Sequence, residues 1–176
     1  VDIKETTFDG QAPGLDSSML RTITGGVTLD VSLVPHTRFK RFTVLGQVTA
    51  TGKARLYGSA PLASDVSSGT TLTLDSALCP FVVGDTLDVE GTDTTITAID
   101  LDTMELTVDT VVSAVTGDLV KNTDGSETPI GLCLVDVSFA DGRDKHVGVA
   151  DWARVSEAAC FLVDADAKSN LDIKFV

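Results

Sequence analysis

Two histidines, His36 and His146, are the only side chains here that ordinarily titrate near neutral pH and serve as general bases. His36 follows Pro35 in an expected turn. Cys133 and His146 flank Asp141-Gly142, so a thiol and an imidazole could meet across a hairpin. Cys133 lies in an apolar run, however, where a thiol is expected to be a small inert core residue. No G-x-S-x-G motif occurs. Gly46-Gln47-Val48-Thr49-Ala50-Thr51-Gly52-Lys53 approaches a phosphate loop, but five residues separate its glycines instead of four. Ala54 also stands where Mg²⁺ needs a hydroxyl, and the segment reads as strand–turn–strand. Asp164-Ala165-Asp166 begins like a calcium loop, yet Lys168 occupies the third ligand position and no Gly follows. Asp100 and Asp102 make either a weak calcium pair or, as expected, a solvated turn. Clustered Cys and His for zinc are missing. The expectation is a protein without catalytic residues, metal or cofactor.

The charge balance narrows the partners. The chain has 176 residues, with 26 acidic and 13 basic side chains and a net charge of -13. Nucleic acid is not an expected partner, because binding it requires cations that neutralise phosphates. Its longest uncharged stretch, Phe42 to Gly52, falls short of the ~18 residues of a membrane span. The opening residues carry no charged-then-apolar leader pattern. A soluble globular protein with no membrane partner is expected. Cys79, Cys133 and Cys160 form no C-x-x-C; they read as reduced thiols, one disulfide plus a free thiol being the alternative.

Charge placement says more than the total. Residues 56–120 hold no Lys or Arg and 11 acids. Such a break in composition marks either a distinct module or a solvated acidic face on a continuous domain. The division expected is an N-terminal arm over 1–25, a β core over 26–60 and 122–176, and an inserted acidic β domain over 61–121. Arg38, Lys40, Arg41, Lys53 and Arg55 form the opposite signal, five cations in a stretch without an acid. Complementary charge steers association, so this stretch is a candidate docking hairpin; charge balance against the acidic module is the alternative.

The elements that must position these residues are strands. Val27 to Leu33 alternates apolar and polar residues strictly, burying one sheet face. Thr43–Ala50, Lys53–Tyr57, Thr71–Leu74, Thr86–Val89, Thr94–Ile99, Met104–Val108, Gly131–Phe139, His146–Val155 and Leu171–Val176 are further expected strands. Turn signals at Thr51-Gly52, Gly91-Thr92-Asp93, Asp100-Leu101-Asp102 and Asp141-Gly142 punctuate them. Short, closely spaced strands imply an all-β sandwich or barrel, with Ser156–Leu162 the best helix candidate. The first ~20 residues carry isolated apolar side chains (Ile3, Phe8, Leu15, Met19, Leu20) with no period, an arm that orders on a partner or a frayed terminus. Trp152, the sole tryptophan, either caps an interaction surface or packs in the core.

The segment Lys40-Arg41-Phe42-Thr43-Val44-Leu45-Gly46-Gln47-Val48-Thr49-Ala50-Thr51-Gly52-Lys53 resembles the strand–turn–strand of phage head decoration (capsid cement) proteins. Pro129-Ile130-Gly131-Leu132-Cys133-Leu134-Val135-Asp136-Val137 resembles that family's second signature, followed by a strand at His146 to Val155. Phe42 stands where the pattern usually has Gly, and the acidic stretch separates signatures that a short link normally joins. Phe81 to Val89, with Thr94–Ile99 and Met104–Val108, is similar to a small SH3-like barrel inserted in phage structural proteins.

The resemblance implies a non-enzymatic virion protein, assembled in a bacterial cytoplasm. It would bind the major capsid protein on the outside of the expanded shell and reinforce it, often as homotrimers at three-fold or quasi-three-fold positions. The candidate capsid or protomer interface comprises Ile3, Phe8, Leu15, Met19, Leu20, Arg38, Lys40, Arg41, Lys53, Arg55 and Trp152, with the acidic insertion projecting outward. Another virion structural or glycan-binding module, such as a tail or fibre domain, is the alternative.

Overall fold

β-branched and alternating residues give this chain two strongly curled sheets. The computed structural model describes residues 15–176, with side chains from Leu20 onward. The chain first lays down β1 (Leu15–Thr22), β2 (Val27–Leu29), β3 (Arg38–Phe39), β4 (Val44–Gln47) and β5 (Ala54–Leu56). It then builds a second unit from β6 (Ser59–Pro61), β7 (Val66–Thr73), β8 (Thr86–Val89), β9 (Thr92–Asp100), β10 (Glu105–Ala114) and β11 (Leu119–Asn122). It returns through β12 (Pro129–Cys133), β13 (Val137–Ser138), β14 (Lys145–Val147), β15 (Val149–Val155), α1 (Ala165–Asn170) and β16 (Asp172–Phe175).

Apart from β3 and β13, which pair in a two-stranded ribbon, the first and last groups share an eight-stranded sheet in the order β1-β15-β12-β4-β5-β2-β14, with β16 also paired to β15. The middle group makes a separate six-stranded sheet, β6-β11-β8-β9-β10-β7. A Leu62–Leu74 bridge, with the Ala63 amide on the Thr73 carbonyl and the Asp75 amide on that of Pro61, brings its two ends together. Its entry strand β6 and exit strand β11 lie side by side, Ala60 facing Val120. Adjacent ends are the geometry that lets a unit interrupt another sheet with little strain on either. All-β architecture is therefore observed.

Each sheet carries its own apolar core. Leu72, Phe81, Leu87, Ile96, Leu106 and Val120 fill the second. The first sheet is buried on both faces: Leu45 and Leu56 pack on one side, Val44 and Tyr57 on the other. Burial on both faces explains why Thr43 to Leu45 and Ala54 to Tyr57 lack the exposed alternation of a half-wet strand.

Several expected elements come out differently, each for a local reason. Val27 to Leu33 is a strand only to Leu29, after which Val31–Leu33 forms a 3-10 turn. The Asp30 carboxylate turns the chain there by accepting the Ser32 amide at 3.0 Å and its hydroxyl at 2.6 Å. Ser156–Leu162 is no helix beyond a 3-10 turn over Glu157–Ala159. The helix lies just after it: Asp164, whose likeness to a calcium loop fails at Lys168, caps α1 by accepting the Ala167 amide at 2.7 Å. Asp141-Gly142 does turn, with Gly142 at φ 64°. Its flanking strands, however, pair with β3 and β2 rather than with each other. Finally, Leu15–Thr22 is an edge strand on β15, and the Leu20 side chain packs against the core. The expected arm over 1–25 therefore gives way to strand across those residues, while Ile3 and Phe8 lie outside the described residues.

Candidate docking surface

The five cations of the expected docking hairpin have three different fates. Arg38 and Lys40 are exposed on and beside β3, which pairs with β13 in a two-stranded ribbon, Arg38 opposite Ser138. Arg41 follows, its amide on the Asp136 carboxylate at 2.9 Å and its guanidinium 5.6 Å from the centre of the Phe42 ring. Lys53 is neutralised by Asp144 at 2.8 Å and Asp30 at 3.2 Å. Those two carboxylates raise its pKa through the hydrogen bonds they accept, Asp144 contributing most.

Arg55 cannot touch a partner at all. Its side chain is fully buried where the two sheets meet, and this corrects its place in the candidate interface. The guanidinium makes a two-pronged pair with Asp85, at 3.0 and 2.6 Å, a third bond to Asp124 at 3.0 Å and a fourth to the Pro80 carbonyl at 2.9 Å. Asp85 and Pro80 belong to the second unit and Arg55 to the first, so the cation is a clamp between them. A planar fork is suited to this role because it satisfies two carboxylates and a carbonyl from fixed directions. A cation in a basic stretch signals a binding patch or an internal ion pair with acids from elsewhere, and the sequence offers nothing that separates the two.

Of the apolar and aromatic candidates, Leu15 and Met19 lie in β1, Leu20 faces the core, and Trp152 is half-buried on the sheet face opposite Ala153 and Val155. A cleft of about 320 Å³ also opens between the units, lined by Ser59, Asp75, Ser76, Phe161, Leu162 and Asp164 among others. On its wall the Asp164 carboxylate accepts the Ser59 hydroxyl at 2.8 Å and the Tyr57 hydroxyl at 3.3 Å. Burial, and then the Asp164 charge, drives the Tyr57 pKa well above its ordinary value.

The residues screened for chemistry are engaged elsewhere. His36 sets Nε2 3.0 Å from the Cys79 carbonyl, and burial lowers its pKa. His146 sets Nε2 2.6 Å from the Gly25 carbonyl and Nδ1 3.4 Å from the Thr28 hydroxyl. The Cys133 thiol points to the Val135 carbonyl at 3.3 Å, so the two do not form a pair. Asp100 accepts the amides of Asp102 and Thr103, and these bonds lower its pKa. It behaves as a turn carboxylate. Among the described residues no group of three or more His, Cys, Asp or Glu is placed to hold a metal, and no helix is long and apolar enough to cross a membrane.

All three cysteines are free thiols. Burial pushes each to about 11, with Glu157 adding to the effect at Cys160. At pH 8 the folded protein is therefore expected to alkylate slowly. Cys160, which is only half-buried, should react first, and Cys79 and Cys133 only on unfolding. Iodoacetamide labelling followed by peptide mass mapping checks this order; fast modification of Cys79 in the native state would contradict it.

No family model matches the chain, and a search of curated proteins gives no match.

Proposed function

We propose that this chain is a capsid decoration protein. It binds the outside of an expanded phage shell, as trimers at three-fold or quasi-three-fold positions, and stabilises the shell without catalysing a reaction. The observation that carries this reading is the adjacency of the two segments that bear the sequence resemblance. They are separated in the chain by the whole second unit, yet β4 and β12 pair directly, with Leu132 opposite Val44 and Gly131 opposite Leu45. The β15 strand that follows lies on the other side of β12.

Phe42 adds support. It occupies the position where the resemblance calls for glycine, and its φ is 65°, the left-handed region that glycine adopts freely. A non-glycine residue there costs roughly 1–2 kcal/mol. The strain is offset by the burial of the ring and by backbone bonds from the Phe42 amide to the Cys133 carbonyl, 2.6 Å, and from the Phe161 amide to the Phe42 carbonyl, 3.2 Å.

Charge would give the molecule a docking side and an outward side. Arg38, Lys40 and Arg41, on and just after the β3 ribbon, are cations that a shell could meet, and the acidic second unit would then face solvent. Binding only to the assembled shell stabilises it by mass action, about 2.7 kcal/mol per site when free protein is a hundredfold above Kd.

Co-sedimentation with expanded and unexpanded shells tests the reading. Saturable binding to expanded shells, at a fixed ratio to the major capsid protein, is the expected result. Reversing Arg38, Lys40 and Arg41 to glutamate should weaken it about tenfold or more. Binding to neither form would remove the proposal and turn attention to tail or fibre roles.

A further inference from the structure

The outward face of the sheet around β15 carries a pair of adjacent cations beside the only tryptophan. Trp152, Arg154, Asp172 and Lys174 alternate with Ala153, Val155 and Ile173, which point into the core. Parallel pairing of β15 with β16 sets Trp152 beside Asp172 and Arg154 beside Lys174. Across the other edge of β15, Arg21 lies opposite Trp152.

The first of these rows is balanced. The Arg21 guanidinium is 3.0 Å from Asp151 and 3.7 Å from Asp172. The second row shows no such pair among the described residues. Arg154 and Lys174 are both exposed, they are neighbours on adjacent strands, and neither makes an ion pair among the described residues. Like charges placed directly opposite each other destabilise a sheet. A shallow groove of about 250 Å³ runs along the same strands, lined by Trp152, Arg154, Leu171 and Lys174 among others.

We infer that this face docks a carboxylate-bearing protein segment, with Arg154 and Lys174 receiving acidic side chains and Trp152 covering the apolar stems between them. Three physical points select that occupant. Two adjacent cations attract an anion, and a planar guanidinium matches a carboxylate. Trp and Arg are the residues that most often carry binding energy at protein interfaces. The chain's net charge of -13 disfavours a long polyanion, which would extend past the patch onto acidic surface. A short acidic segment stays within it, because charges more than ~8 Å away are screened at physiological salt. The inference is independent of the decoration reading, since its test needs no capsid.

Trp152 is the only tryptophan in the chain, so its emission reports this face alone. The whole protein is titrated with a short Glu/Leu peptide, with the same peptide carrying Gln for Glu, and with a heparin oligosaccharide. A saturable emission change is expected with the Glu peptide only, weakened by added salt and about tenfold or more in R154E/K174E. Both substitutions are at exposed positions, and circular dichroism verifies that the variant is folded. No change with the Glu peptide, an equal change with the Gln peptide, or an undiminished response in R154E/K174E would overturn the inference. A response to heparin without one to the peptide would overturn it too, by giving the face to an acidic glycan.

Discussion

Arg55→Ala is expected to destabilise the protein by about 3–5 kcal/mol, read as a lower urea midpoint. The reason is less the lost bonds than the charges left behind. Asp85, with a side chain only 9% exposed, would be left with no cation beside it. Asp124, 26% exposed, would be partly relieved by water. Replacing the buried group as a set, R55M with D85N and D124N, should recover much of the loss, because a buried ion pair is costly to break and far less costly to exchange for neutral groups. The same variant tests the clamp. If Arg55 fixes the second unit against the first, R55A should also speed proteolysis at the connections around residues 57–58 and 123–128. A loss of under about 1 kcal/mol with unchanged proteolysis would contradict this account of the junction.

Gly46→Ala is the second large effect, expected at about 3 kcal/mol, the upper part of the range for overpacking. Gly46 has no unusual φ, so backbone freedom is not its role. A Cβ there would run into the Ser126 carbonyl. Ser126 has little room to retreat: its carbonyl accepts the Gly58 amide at 2.9 Å, and its own amide is bonded to Asp124, which holds Arg55. Gly52 is the matched control. It has a φ of 68° but open space around its Cα, so Gly52→Ala carries only left-handed strain, roughly 1 kcal/mol. Thermal melts of the two variants side by side check the order. Equal losses would mean that the strand and the 122–126 segment are not packed as described.

How much of this was legible beforehand depends on the range of the interaction. Thr86–Val89 is bounded as its alternation and the Gly91 turn require, and the β8–β9, β9–β10 and β4–β5 hairpins follow their turn residues. These are local signals. β1, β6 and β11 carry weak alternation and are strands because neighbours supply their hydrogen bonds: β15 for the first, β11 for the second, and both β6 and β8 for the third. Pairing of that kind has no signature in a window of ten residues. The same limit governed the candidate site. Arg55 reads as part of a basic stretch, and only the arrival of Asp85 and Asp124 from distant segments turns it into a buried clamp. Arg154 and Lys174 went unnoticed because they are adjacent only through the β15–β16 ladder. Asp164 shows the reverse case: an Asp three residues before the Ala167 amide it caps is a local signal, yet the sequence reading, with a calcium loop set aside there, places its helix at Ser156–Leu162 instead.

The proposal that the protein reinforces a capsid meets its most direct test in calorimetry of expanded shells with and without saturating protein. A decoration protein that binds only the assembled, expanded state must raise the temperature at which the shell comes apart, by an amount that grows with free protein concentration. A disruption temperature that stays the same at saturating protein would contradict the account, whatever the strength of binding.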